Sequence, residues 1–157
     1  MTRERNRPGV LYRYKDMLIK HYGIHTERGT VIHNHPTFGM VVETSYKEFA
    51  TGEFVTCVQR EMDWLPDDMI LQRARSKIGK NYKLLRYNCE DFINDVRYGK
   101  SFSKQRNWAF FILALIPVLV GVIALIKRRK TLASIMFLLL LAVGGLYIYL
   151  VQTGNRE

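Results

Sequence analysis

Tyr87-Asn88-Cys89-Glu90-Asp91-Phe92-Ile93 is the stretch on which the reading of this chain turns. Asn88 is suited to cap a helix, because its side-chain oxygen can accept the orphan amides of the first turn. Glu90 and Asp91 then sit where the helix dipole favours negative charge. Phe92, Ile93 and Val96 supply an inward stripe at i, i+1 and i+4. The pattern predicts a helix from Cys89 to about Val96, with a thiol in its first turn. That position is expected to lower the cysteine pKa, and a neighbouring imidazole could take the thiol proton.

Upstream of this helix the chain reads mainly as strands. Pro8-Gly9 gives way to Val10–Tyr14, followed by Leu18–His25, Thr30–Asn34, Met40–Thr44 and Glu53–Val58, after a polar opening at Thr2–Arg7. Ser45 and Glu48 fit a capping box at the start of a short helix ended by Gly52. Pro66-Asp67-Asp68 opens a further helix, with Met69, Ile70, Ala74 and Ile78 as its apolar positions and Gly79 as its stop. Strands first and helices later make the class α+β with a mostly antiparallel sheet.

Two strands form a hairpin through Thr26-Glu27-Arg28-Gly29. If the turn centres on Glu27, facing residues have numbers that sum to 54, and His21 lies opposite His33. Opposed side chains share a face with Cβ atoms ~5 Å apart, which suits a base and the residue that orients it. A slip by one residue would send one ring to the other face. His25, near the turn, and His35, beside Pro36, carry no assignment. Cys57 reads as a packing residue, and both cysteines as free thiols. The sequence has no CxxC or HExxH, so neither a metal nor another cofactor is expected.

The last third has a different composition. Trp108–Ile126 and Leu132–Val151 run nineteen and twenty residues without a charge, and each can cross a hydrocarbon core of ~30 Å. Lys127-Arg128-Arg129-Lys130 leaves room only for a tight connection, so residues 108–151 are expected to form a transmembrane hairpin, kinked at Pro117. Small residues Ala114, Gly121, Ala133, Ser134, Gly144 and Gly145 would allow close approach. The spans hold no Asp, Glu, Lys, Arg or His, which points to an anchor instead of a transport path. Residues 1–106 carry 19 Lys and Arg against 13 Asp and Glu. With no aromatic-interleaved basic stripe, the surplus suits anionic lipid better than nucleic acid. A 106-residue basic domain without a signal sequence is expected to stay on the cytoplasmic side.

The motif Asn88-Cys89-Glu90 with Phe92 resembles the NCEHF box of the lecithin:retinol acyltransferase-like family, a circularly permuted branch of the NlpC/P60 papain-like superfamily. His21-Tyr22-Gly23-Ile24 is similar to its histidine strand, and Val31-Ile32-His33 to the strand that follows. Val41–Ser45, Gly79 with Tyr82–Leu85, and Ser101–Gln105 also resemble the family, so the likeness spans residues 8–105. It implies a permuted papain-like fold, with Cys89 as nucleophile, His21 as general base and acid, and His33 as the residue orienting His21. It further implies acyl transfer through a cysteine thioester, with membrane phospholipids as substrate. Asp91 stands where the family box usually has histidine. The rival readings are a thiol peptidase or amidase, and a non-catalytic membrane-remodelling protein on the same scaffold.

Overall fold

A computed structural model describes residues 9–15, 19–57 and 66–154. The expected polar opening, Leu18 and Val58 lie outside them. The chain divides into two units, Met1–Ser103 and Lys104–Glu157.

The first unit is α+β. Strands β1 (Gly9–Lys15), β2 (Ile19–His25), β3 (Thr30–His35), β4 (Met40–Ser45) and β5 (Val55–Cys57) form one antiparallel sheet in the order β4-β3-β2-β1-β5. Helix α1 (Tyr46–Ala50) follows β4, α2 (Asp67–Ser76) follows β5, and α3 (Cys89–Tyr98) ends at Gly99 in the left-handed region. Alternation sorts the side chains of the sheet. Ile24, Ile32 and Val41 face Ile70, Leu71 and Ala74 of α2 and Phe92, Ile93 and Val96 of α3, all buried in one core with Tyr87. The opposite face carries His21, Gly23, Val31 and His33, closed over by Phe49 of α1.

The helix expectations need some adjustment. Ser45 accepts the Glu48 amide, and Thr51 takes the left-handed C-cap position before Gly52. Helix α2 stops at Ser76, so Ile78 lies beyond it and is exposed, as is Met69, while Leu71 joins the core. Cys57 is exposed on the edge strand β5. An edge strand has a neighbour on one side only, so the packing role expected of Cys57 does not hold.

The second unit pairs α4 (Lys104–Ile126) with α5 (Lys130–Gly154), both long and apolar enough to cross a membrane. The buried positions of α4 are Phe110, Pro117 and Ala124, seven residues apart, and they mark a single stripe. A Cβ on Gly121 would stand 3.4 Å from that of Met136. Helix α4 ends in a Schellman motif, in which Arg129 N–H bonds to Ala124 O at 2.8 Å and Arg128 N–H to Leu125 O at 2.9 Å. Arg128 takes the left-handed position usually held by glycine, with φ 57°.

Candidate active site

The site is built where β2 and β3 part. Their ladder is confined to Ile24 opposite Ile32 and His25 opposite Val31, so facing numbers sum to 56. The loop is three residues long, Glu27-Arg28-Gly29, closed by Thr26 N–H to Thr30 O at 2.9 Å, with Gly29 at φ 75°. The turn therefore centres on Arg28, and the expected direct opposition of His21 and His33 is corrected. A shift of two preserves parity, which keeps both rings on one face as diagonal neighbours.

Glycine makes the diagonal contact possible. A Cβ on Gly23 would fall 2.5 Å from Val31 Cγ1 and 3.2 Å from His33 Cβ. With no side chain there, His21 Nε2 reaches His33 Nδ1 at 2.8 Å. Both rings are buried and pack against Phe49, with centroids 5.5 and 5.1 Å away. His33 Nε2 lies 3.0 Å from Thr44 Oγ1. Thr44 is itself a donor to Ser45 O at 3.4 Å, so it accepts from His33 Nε2–H. His33 Nδ1 is then the acceptor and His21 Nε2–H the donor, and the Nδ1 of His21 keeps its lone pair. Burial lowers the His33 pKa to about 3, helped by the charges of His35 and Arg13. His33 is therefore neutral at physiological pH.

The thiol enters from the other side of the sheet. Where β3 has left β2, Cys89 Sγ donates to Lys20 O at 3.8 Å, and the backbone of Tyr22 hydrogen-bonds back to the sulfur. Lys20 and Tyr22 flank His21 in sequence. Asn34 of β3 donates from Nδ2 to Tyr87 O at 2.7 Å. The start of α3 is thus tied to β2 by Cys89 and to β3, one residue ahead of its cap, by Asn34. The expected lowering of the thiol pKa is corrected. Burial raises it, and the Glu90 charge adds to the rise, against smaller lowering by backbone hydrogen bonds from Tyr22, Glu90 and Cys89. The dipole of one short helix does not offset desolvation of a thiolate this deep.

The cap is more elaborate than Asn88 alone suggests. Asn88 Oδ1 accepts the amides of Glu90 and Asp91 at 2.9 and 3.1 Å. Asp91 Oδ2 returns a bond to Asn88 N–H at 3.1 Å, completing a capping box. Asp91 Oδ1 accepts from Ser101 Oγ at 3.2 Å, Glu90 Oε2 from Ser103 Oγ at 2.8 Å, and Phe102 O from Asn94 Nδ2 at 2.7 Å. Residues 101–103 therefore clamp α3 through its buried polar side chains.

Several contributors escaped the sequence reading. Thr44 looked like an ordinary strand residue, and only the β3–β4 register, with His33 opposite Val42, places it diagonally from His33. His35 also joins the group, its ring centroid 5.1 Å from that of His33 and 6.1 Å from that of His21. Its Nδ1 accepts the amides of Thr37 and Phe38 at 3.1 and 3.3 Å. Tyr82 keeps its proton, its pKa raised to about 12 by burial first and then by the charges of Cys89 and Asp91. Among the described residues, no three His, Cys, Asp or Glu side chains gather as a metal-binding set.

The family model for lecithin retinol acyltransferase matches residues 4–102. Phospholipase A and acyltransferase 5 of Mus musculus is 30% identical over 120 residues, covering 64% of this chain and 44% of that protein. Phospholipase A and acyltransferase 1 of Mus musculus is 33% identical over 73 residues, covering 43% of this chain and 44% of that protein. The chain spans less than half the length of these relatives. With a family model matched over well more than half its length, the chain belongs to the lecithin retinol acyltransferase family.

Proposed function

We propose that this protein is a membrane-anchored thiol acyltransferase or acyl hydrolase of the phospholipase A type. In this reading Cys89 attacks a phospholipid ester and carries the acyl group as a thioester. The observation that carries it is the pairing of a 2.8 Å His21–His33 bond with a thiol seated on the backbone flanking His21. The names of the relatives, phospholipase A and acyltransferase, support the reaction class. Histidine before cysteine in the chain, on a strand and a helix start, also supports a permuted papain-like (NlpC/P60) arrangement for residues 8–105.

His21 takes the thiol proton as Cys89 attacks, because the raised thiol pKa favours a neutral resting pair over a preformed ion pair. His33 orients His21 by accepting Nε2–H, and stays neutral while His21 becomes imidazolium. The amides of Tyr22, Cys89 and Glu90 converge on the sulfur and stabilise its developing charge, and the Cys89 amide at the helix start would also meet the tetrahedral oxyanion. His21 then returns its proton to the leaving lysolipid oxygen, and the thioester forms. Water or another acceptor, deprotonated by His21, releases the acyl group and restores the thiol.

Residues 108–151 form the anchor, with spans 108–126 and 132–151 and the catalytic domain on the cytoplasmic side. Anchoring lets the site meet its ester by lateral diffusion instead of extracting it from solution. The test is fatty-acid release from labelled phosphatidylcholine in nanodiscs carrying the full chain. Cys89→Ala and His21→Ala should each abolish release, and undiminished release from Cys89→Ala would remove the nucleophile assignment.

A further inference from the structure

Ten large apolar side chains are exposed among the described residues up to 103, and five of them, Ile19, Phe38, Met40, Leu84 and Leu85, lie on the three segments that frame the candidate site. Ile19 precedes Lys20, whose carbonyl holds the thiol. Phe38 packs against His35 at a tilt, with ring centroids 4.6 Å apart. The Phe38–Met40 turn is fastened to the connector before α3, since Tyr82 N–H bonds to Gly39 O at 2.7 Å and Met40 bridges Asn81. That connector then makes a tight turn, closed by Tyr87 N–H to Lys83 O at 2.7 Å, with Leu84 and Leu85 at its tip. Leu84 O accepts from Asn88 Nδ2 at 3.4 Å, one residue from the thiol.

The charge on these segments has one sign. Residues 19–22, 36–40 and 80–87 contain no aspartate or glutamate; Lys80 is paired with Asp95 at 3.8 Å, and Lys20, Lys83 and Arg86 supply the rim's charge. Exposed leucines 66% and 43% accessible, bracketed by Lys83 and Arg86, match an interface that is apolar below and anionic at its surface. A protein partner would account for the leucines, but nothing on these segments selects for one, whereas uniform basic charge selects for anionic headgroups.

We infer that this rim docks the mouth of the site onto an anionic bilayer surface, with the Leu84–Leu85 tip entering the headgroup region. This rests on the phospholipid reading above and deepens it, because docking would deliver an ester carbonyl beside Cys89 without its leaving the lipid.

The test uses full-length protein in nanodiscs, with Cys57→Ser and either Leu85→Cys or, as reference, Lys47→Cys on α1 labelled with an environment-sensitive fluorophore. Buried Cys89 is checked for labelling by mass spectrometry. In nanodiscs of phosphatidylcholine with phosphatidylglycerol, the label at 85 should shift to the blue and be quenched about twofold by headgroup-level nitroxide lipids. The label at 47 should remain solvent-like. The effect at 85 should weaken in pure phosphatidylcholine and in Lys83→Glu/Arg86→Glu. A solvent-like, unquenched label at 85 in anionic nanodiscs overturns the docking surface, as does quenching that ignores both lipid charge and the double reversal. Fatty-acid release is measured on unlabelled protein, so failure of the acyl chemistry is scored separately.

Discussion

Cys89 and His33 are both tuned by burial, in ways that set their behaviour with pH. The Cys89 pKa is raised above that of an ordinary thiol. In a Cys57→Ser background, alkylation of Cys89 by iodoacetamide should therefore be slow at neutral pH and rise only in the alkaline range. A rate already at plateau at pH 7 would indicate a preformed thiolate. His33 is neutral when folded, with a pKa of about 3, and ordinary when unfolded, near 6.5. The unfolded state thus binds the extra proton as pH falls through 6.5, so stability is full above that pH and is lost progressively toward pH 3. The loss is of the order of a few kcal/mol. Thermal melts should show Tm falling from pH 7 to pH 5, and His33→Asn should flatten that slope. Gly23→Ala should lower activity sharply with the protein still folded, because the new methyl group must displace Val31 or His33.

At the scale of elements, α3 was legible because capping chemistry is local. Asn88, the acids behind it and the apolar stripe all lie within nine residues. The hairpin was legible in its strands and in the face shared by its histidines, but not in its register. Thr26-Glu27-Arg28-Gly29 is compatible with several loop closures, and three-residue closure moved the centre from Glu27 to Arg28. Parity protected the functional conclusion from that error. Thr44, Asn34 and the Ser101–Ser103 clamp were illegible because each acts across 11 residues or more, or through a side chain with no periodic signature. Asp91, the departure from the NCEHF box that the motif resembles, proves to be the returning arm of the capping box. Removing the cap with Asn88→Ala should cost about 1 kcal/mol. Asp91→His should cost a comparable amount, since it forfeits both the Asn88 and the Ser101 bonds. Denaturant melts of the two variants check this, and wild-type stability in Asp91→His would mean the box contributes nothing.

For the whole molecule, composition announced the second unit and the sheet order could not be read at all. The two apolar helices stand out because each runs some twenty residues without a charge, and few of their residues are buried. Sheet order β4-β3-β2-β1-β5 depends on where β5 returns, which no local pattern encodes. The full chain should remain with the membrane pellet after alkaline carbonate extraction. A cysteine introduced at Arg128, in a background without Cys57, should be labelled by an impermeant maleimide only from the side opposite residues 8–105, with buried Cys89 checked for labelling by mass spectrometry. Release into the carbonate supernatant would contradict the anchor.

The central claim is that the acyl group passes through Cys89. Full-length protein in nanodiscs containing isotope-labelled phosphatidylcholine, quenched in acid during turnover and digested, should yield the Cys89 peptide carrying the labelled acyl mass. That adduct should be removed by neutral hydroxylamine and accumulate in His21→Asn supplied with a thioester donor. Labelled fatty acid released at the wild-type rate with no adduct on Cys89, or with the adduct on another residue, would contradict it.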